Sequence, residues 1–165
     1  MSASPIRRAA GFLAAVCLAL VALQSLDAQG QHDSSVAVVV HPDVPVTNMT
    51  LQEVRSVFLG DRQYWNSKLP VVLLIRAPVA HERDVVLRVI YEMSEVQFKR
   101  YWIAKIFRAE SATPPKIVYS NDITNELTAA IPGAIAFLDS QDVRPGIKVV
   151  RVDGHLPGEP GYPLK

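Results

Sequence analysis

The stretch RAPVAHER, residues 76–83, gathers Arg76, His81 and Arg83 around one carboxylate, Glu82. A guanidinium takes a carboxylate or phosphate through paired hydrogen bonds. Two readings of Arg76 stand side by side. It is a ligand for a small oxyanion, or it pairs with Glu82 or Asp84 and pins the start of a helix. His81 reads as a ligand or as a solvent-facing loop side chain. Catalysis finds no support elsewhere in the chain. There is no Gly-x-Ser-x-Gly, no glycine-rich phosphate loop with lysine and no paired-carboxylate motif. Glu82 and Asp84 stand two apart and point to different helix faces. His41, His81 and Asp43 lack the tight spacing of a metal site, so neither a metal nor a cofactor is expected.

The beginning of the chain limits this chemistry further. Arg7 and Arg8 precede an uncharged apolar run, Ala9 to Leu23, and a polar stretch from Gln24 to Gln31 follows. That run is shorter than the roughly 20 residues a membrane-spanning helix needs. The pattern is that of a secretory signal over residues 1–28, with cleavage after Ala28 or Gly30. Val16 before Cys17 argues against a lipid anchor. Cys17 is the only cysteine of the 165 residues, so the mature chain has no disulfide and no thiol nucleophile. Losing Arg7, Arg8 and Asp27 from 17 basic and 16 acidic side chains leaves no net charge. With no basic excess to neutralise a phosphate backbone, nucleic acid is not an expected partner. The expected location is the periplasm or the exterior, with no membrane insertion after signal cleavage.

Alternating strands and helices position the anion-holding stretch. Residues 29–35 are polar and read as a flexible segment. Val36–Val40 is a buried strand. Thr50 and Glu53 form a capping box that opens a helix with Leu51, Val54, Val57 and Phe58 on one face. Gly60 supplies the left-handed stop. Val71–Ile75 reads as a second buried strand, and a helix from Ala80 to Met93 follows. A second capping box, Ser94 with Gln97, opens a helix to Phe107. Its stripe of Phe98, Tyr101, Trp102 and Ile106 reads as core packing. After Thr113-Pro114-Pro115 come a strand at Ile117–Tyr119 and a helix capped by Ser120 or Asn121 that runs to Ala130. A Pro132-Gly133 turn then leads into Ala134–Leu138, and the last strand is Ile147–Val152. Residues 36–152 thus form one α/β domain with a mostly parallel sheet flanked by helices. Residues 153–165 form a non-helical Pro/Gly-rich tail.

Several stretches together resemble a known family: VVVHPDVPVTNMT at 38–50, VFLGDRQYW at 57–65, VVLLIR at 71–76 and PGAIAFL at 132–138. They are similar to the phosphate-type substrate-binding proteins of ABC transporters, which have the type II periplasmic binding fold. MSEVQFKRYWIAKIF, residues 93–107, resembles the short, single-lobe relatives. The resemblance implies a single lobe of that fold and a non-enzymatic role. Its ligand would be a small oxyanion such as phosphate, held at Arg76, Ala80, His81, Glu82 and Arg83. The implied partners are an ABC permease or another envelope protein, and a second copy of the chain. The family's loop reads Arg-x-Asp-x-Ser-Gly-Thr, and here only Arg76 is retained. Ala80 brings no hydroxyl, and Glu82 puts a carboxylate where the anion would sit. The alternative is a ligand-free scaffold that docks another envelope protein.

Overall fold

The computed structural model describes residues 34–111 and 113–165. The signal over 1–28 and its cleavage sites lie outside the described residues. So does most of the segment expected to be flexible, but Ser35 is described and buried. Its hydroxyl accepts from the Gly158 amide at 3.1 Å and its carbonyl from the Ser140 amide at 2.9 Å.

The described residues form eight strands and four α-helices. The strands are β1 (Val36–Val40), β2 (Asn48–Met49), β3 (Tyr64–Asn66), β4 (Leu69–Pro70), β5 (Val72–Arg76), β6 (Lys116–Val118), β7 (Ala134–Asp139) and β8 (Lys148–Val152). The helices are α1 (Leu51–Phe58), α2 (His81–Val86), α3 (Glu95–Phe107) and α4 (Asn121–Ala130). One sheet runs in the order β2-β8-β1-β7-β5-β6, and β3 and β4 form a separate ribbon. β1 alone runs against the others, pairing antiparallel with β7 and β8. The remaining pairs in the large sheet are parallel, so the sheet is mostly parallel, as expected. Every side chain of β1 is buried, as a strand covered on both faces requires.

Both capping boxes form. Thr50 Oγ accepts from the Glu53 amide while the Glu53 carboxylate accepts from the Thr50 amide, and Ser94 and Gln97 repeat the exchange. The helix expected from Ala80 to Met93 differs in its second half. After α2 the backbone widens into a π turn, Leu87–Tyr91, which Glu92 ends at φ +52°. Arg55 on α1 supplies the reason. Its guanidinium donates to the Val89 carbonyl at 2.8 and 3.2 Å and pairs with Glu92. A carbonyl left outside the helical ladder is thus satisfied by a side chain.

The core between the sheet and α1–α3 is aromatic. Phe58 stacks on Phe137 with centroids 4.2 Å apart, Tyr91 meets Phe98 edge-on at 4.8 Å, and Phe98 meets Trp102 at 6.5 Å. The expected stripe on α3 is core packing at Phe98 and Trp102, but Ile106 is 38% exposed. Lys105 takes the inward position instead, because Asp61 accepts from its ammonium at 2.6 Å. The Phe-Leu-Gly-Asp run is a clamp onto the π turn and α3. Tyr91 donates to the Phe58 carbonyl at 2.9 Å and Tyr101 to the Leu59 carbonyl at 2.7 Å. Burial pushes the Tyr91 phenol above its usual range. Gly60 sits at φ +74°, where an added Cβ would lie 2.9 Å from the Trp102 ring.

On the opposite face, Ala37, Val39, Leu74, Ala136 and Leu138 pack with Leu127 of α4 and with Ile131 just after it. Two pieces of the family-like pattern meet at the Pro132-Gly133 turn, where the Trp65 indole donates to the Gly133 carbonyl at 2.9 Å. The tail from Asp153 has no helix, as expected, yet it closes the core. Tyr162 and Leu164 are buried, the Tyr162 hydroxyl donates to the Val36 carbonyl, and the Val36 amide donates to Leu164.

Candidate functional site

Arg76 ends β5, and the chain crosses to α2 through Ala77–Ala80. The Ala77 amide donates to the Val118 carbonyl at 2.8 Å, so the crossing starts as an extension of the β5–β6 pairing. A tight turn follows, in which the Ala80 amide donates to the Ala77 carbonyl at 3.3 Å. Pro78 takes the second turn position and Val79 the third, at φ +70°. That third position favours glycine, and a β-branched residue there is strained. The Val79 side chain is 98% exposed, so no packing offsets the strain. Ala80 caps α2 without any side-chain hydrogen bond, as a methyl group must.

The residues after the turn divide into three roles. Glu82 is buried, and its Oε2 lies 3.5 Å from Arg76 Nε. Arg76 Nη1 reaches the Val118 carbonyl at 3.5 Å, and its Nε is buried without a hydrogen bond. These contacts are long for charge-assisted bonds, so the guanidinium is paired but weakly tied. Arg83 is only 2% exposed and fully engaged. Its Nε and Nη2 donate to the two carboxylate oxygens of Glu95 at 3.1 and 2.9 Å, and Nη1 donates to the Arg76 carbonyl at 3.1 Å. Its guanidinium also stands 4.4 Å from the Phe98 ring centroid. His81 and Asp84 are exposed.

Of the two readings of Arg76, the ion pair with Glu82 describes the geometry. Arg83 belongs to the core as the link between β5, α2 and α3. Two guanidinium groups thus meet two carboxylates, and the exposed Lys99 ammonium also lies 3.8 Å from Glu95. Glu95 is the residue that sequence reasoning missed. Its signal was an acid in the first turn of a capped helix, which by itself points to the helix dipole and not to a partner 12 residues back. The His41 Nδ1 accepts from the Asp43 amide at 3.1 Å. Among the described residues no group of three or more His, Cys, Asp or Glu is placed to hold a metal ion, and no helix is long and apolar enough to cross a membrane.

No protein-family model and no curated protein matches the sequence. Solved structures do match. An ABC-type phosphate transport receptor from Vibrio cholerae aligns with a TM-score of 0.58 at 16% identity, covering 74% of this chain and 48% of the receptor. A putative phosphate ABC transporter substrate-binding protein with bound phosphate, from Clostridium perfringens, gives 0.58 at 18%, covering 73% and 45%. PstS from Borrelia burgdorferi gives 0.60 at 14%, covering 79% and 53%. The chain thus spans about half the length of each, and at these identities the likeness is one of fold. The chain has the periplasmic-binding-protein fold of phosphate transport receptors, a mostly parallel sheet flanked by helices, over about half of their extent.

Proposed function

We propose that the protein is a non-enzymatic solute-receptor lobe of the bacterial periplasm, serving oxyanion transport or sensing, in which Glu82 holds the place of a ligand anion at Arg76. The observation that carries this reading is the Arg76–Glu82 contact at 3.5 Å, with Arg83 withdrawn to Glu95. A phosphate at Arg76 must displace a buried carboxylate and then sit beside it. Like charges at that separation repel strongly where water is excluded. The lobe therefore takes a small oxyanion such as phosphate weakly or only when Glu82 is moved. Export through the signal over residues 1–28 places it where an ABC permease or another envelope protein is the partner. Pairing with a second copy would add a second wall to the site.

Calorimetry with inorganic phosphate tests the reading. The expected result is no measurable heat at about 1 mM phosphate, a concentration that detects dissociation constants near that value. Strong heat that vanishes in Arg76→Ala would contradict the occupancy of the anion's place by Glu82 and leave the receptor role in force.

A second reading, a ligand-free scaffold that docks another envelope protein, is favoured by one feature. Val79 is 98% exposed and Tyr119 76% exposed, and both lie just beyond the paired ends of β5 and β6, next to Arg76. A pull-down from periplasmic extract discriminates. A stoichiometric protein partner that is lost in Val79→Asp and Tyr119→Asp favours the scaffold, and capture of no protein argues against it.

A further inference from the structure

A groove of about 270 Å³ lies at the end of β5 opposite to Arg76. Arg62, Tyr64, Val71, Leu73, Pro114 and Lys116 are among the residues that line it. Its charge is one-sided. Among the described residues, the two charged ones of the lining are Arg62 and Lys116, and no carboxylate lines it. The acids closest along the chain are engaged elsewhere. Asp61 accepts from Lys105 at 2.6 Å, and Glu110 is held by both prongs of Arg108, with bonds of 2.5 and 3.1 Å. The Arg108 guanidinium accordingly keeps the Glu110 carboxyl below its usual range.

The walls are braced. Arg62 donates from Nε to the Tyr64 carbonyl and from Nη2 to the Trp65 carbonyl, both at 3.2 Å, and stands 5.2 Å from the Trp65 ring centroid. Its Nη1 has no partner among the described residues, and the Lys116 ammonium has neither a hydrogen bond nor an ion pair among them. The Gln63 side chain donates to the Glu110 carbonyl at 2.7 Å, tying the β3–β4 side of the groove to the segment after α3. A guanidinium fixed by two backbone carbonyls and an aromatic face is oriented before any ligand arrives, which lowers the cost of binding.

We propose that this groove binds a small organic anion, a carboxylate carried on an apolar or aromatic body. Arg62 and Lys116 hold the carboxylate, and Val71, Leu73 and Pro114 pack against the body. The volume sits just below the usual range for ligand pockets and suits a molecule of about ten non-hydrogen atoms. This site is independent of the Arg76 loop.

The test is a titration of ¹⁵N-labelled protein with sodium benzoate, followed by amide shifts, with acetate as the control that lacks an apolar body. Saturable shifts are expected at Gln63, Val72 and Lys116, with benzoate binding at least about fivefold tighter than acetate, as the added apolar contact predicts. Lys116→Ala, at an exposed position where folding is not at stake, weakens benzoate about tenfold through loss of a charge-assisted bond. Arg76→Ala leaves benzoate binding unchanged, which separates this site from the oxyanion reading. Absence of saturable shifts up to about 50 mM, far above any meaningful affinity, would overturn the proposal. So would equal binding by wild type and Lys116→Ala, or equal binding of acetate and benzoate.

Discussion

At the C-terminal end of β5, Arg76 lies against the buried Glu82, and Arg83 beside it is locked to Glu95. At the other end, Arg62 and Lys116 line a groove from which the neighbouring acids Asp61 and Glu110 have been drawn away by Lys105 and Arg108. Both regions are rich in cations within a short span, yet in one each guanidinium meets a carboxylate, and in the other no carboxylate is among the described lining residues. A cationic side chain in a loop is therefore no measure of anion-binding capacity. What counts is whether the fold has already supplied its counter-charge. Residue types drew attention to the first region, and the pairing of charges draws it to the second.

The comparison breaks most readily at Arg83. Glu95→Ala leaves that buried guanidinium without its carboxylate and should destabilise the protein by about 2–3 kcal/mol, somewhat below the full value for a buried pair because Glu95 is partly exposed. Urea unfolding reads this, and a change under about 0.5 kcal/mol, the usual range for surface substitutions, would mean that Arg83 is not a core element. The turn between Arg76 and α2 is the next test. Val79→Gly removes a β-branched residue from φ +70° at a position with no packing to lose. It should stabilise by about 0.5–1 kcal/mol, the left-handed strain less the entropy of glycine. A loss of stability would show that Val79 packs in solution.

The groove offers a smaller effect that sharpens the contrast. Arg108→Ala frees the Glu110 carboxylate to approach Lys116 and should weaken benzoate about threefold, the scale of a screened surface charge. Unchanged affinity would show that Glu110 does not matter to the groove. Smallest is the acid response of α1. The Glu53 carboxyl is held below its usual range by hydrogen bonds from the Thr50 amide and then from the Thr50 hydroxyl. A lowered folded-state value means this stabilisation is present above the unfolded carboxylate range and is lost as pH falls through the folded one. Glu53→Gln should flatten that part of the stability–pH curve, and because the pair is exposed the change stays within a fraction of a kcal/mol.

Most of the architecture was legible because it rests on local signals. The VAVVV run of β1, the two capping boxes and the Pro132-Gly133 turn each carry their instruction within a few residues. What was not legible depends on contacts across the fold. β2, β3 and β4 are two or three residues long and bury at most one side chain each, so they have no period to detect. The π turn needs Arg55 from another helix. The exchange of Ile106 for Lys105 on the inner face of α3 needs Asp61. The tail reads as separate because it is rich in proline and glycine, and its return to the core through Tyr162 and Leu164 shows only in the fold. At the candidate site the alternatives for Arg76 could be framed from residue types, but choosing between them required the distance to Glu82.

Glu82 is proposed to stand in for a ligand anion at Arg76. Phosphate calorimetry on Glu82→Thr, the residue found at this place in the family-like loop, tests it most directly. The carboxylate leaves, a hydroxyl donor enters, and Arg76 loses its counter-ion. Wild type should stay silent while Glu82→Thr binds phosphate with a dissociation constant of about 1–10 mM, modest because one wall encloses the anion. Arg76→Ala in the same background should abolish that binding. A correctly folded Glu82→Thr protein that gives no heat, or a wild type that binds equally well, would contradict it.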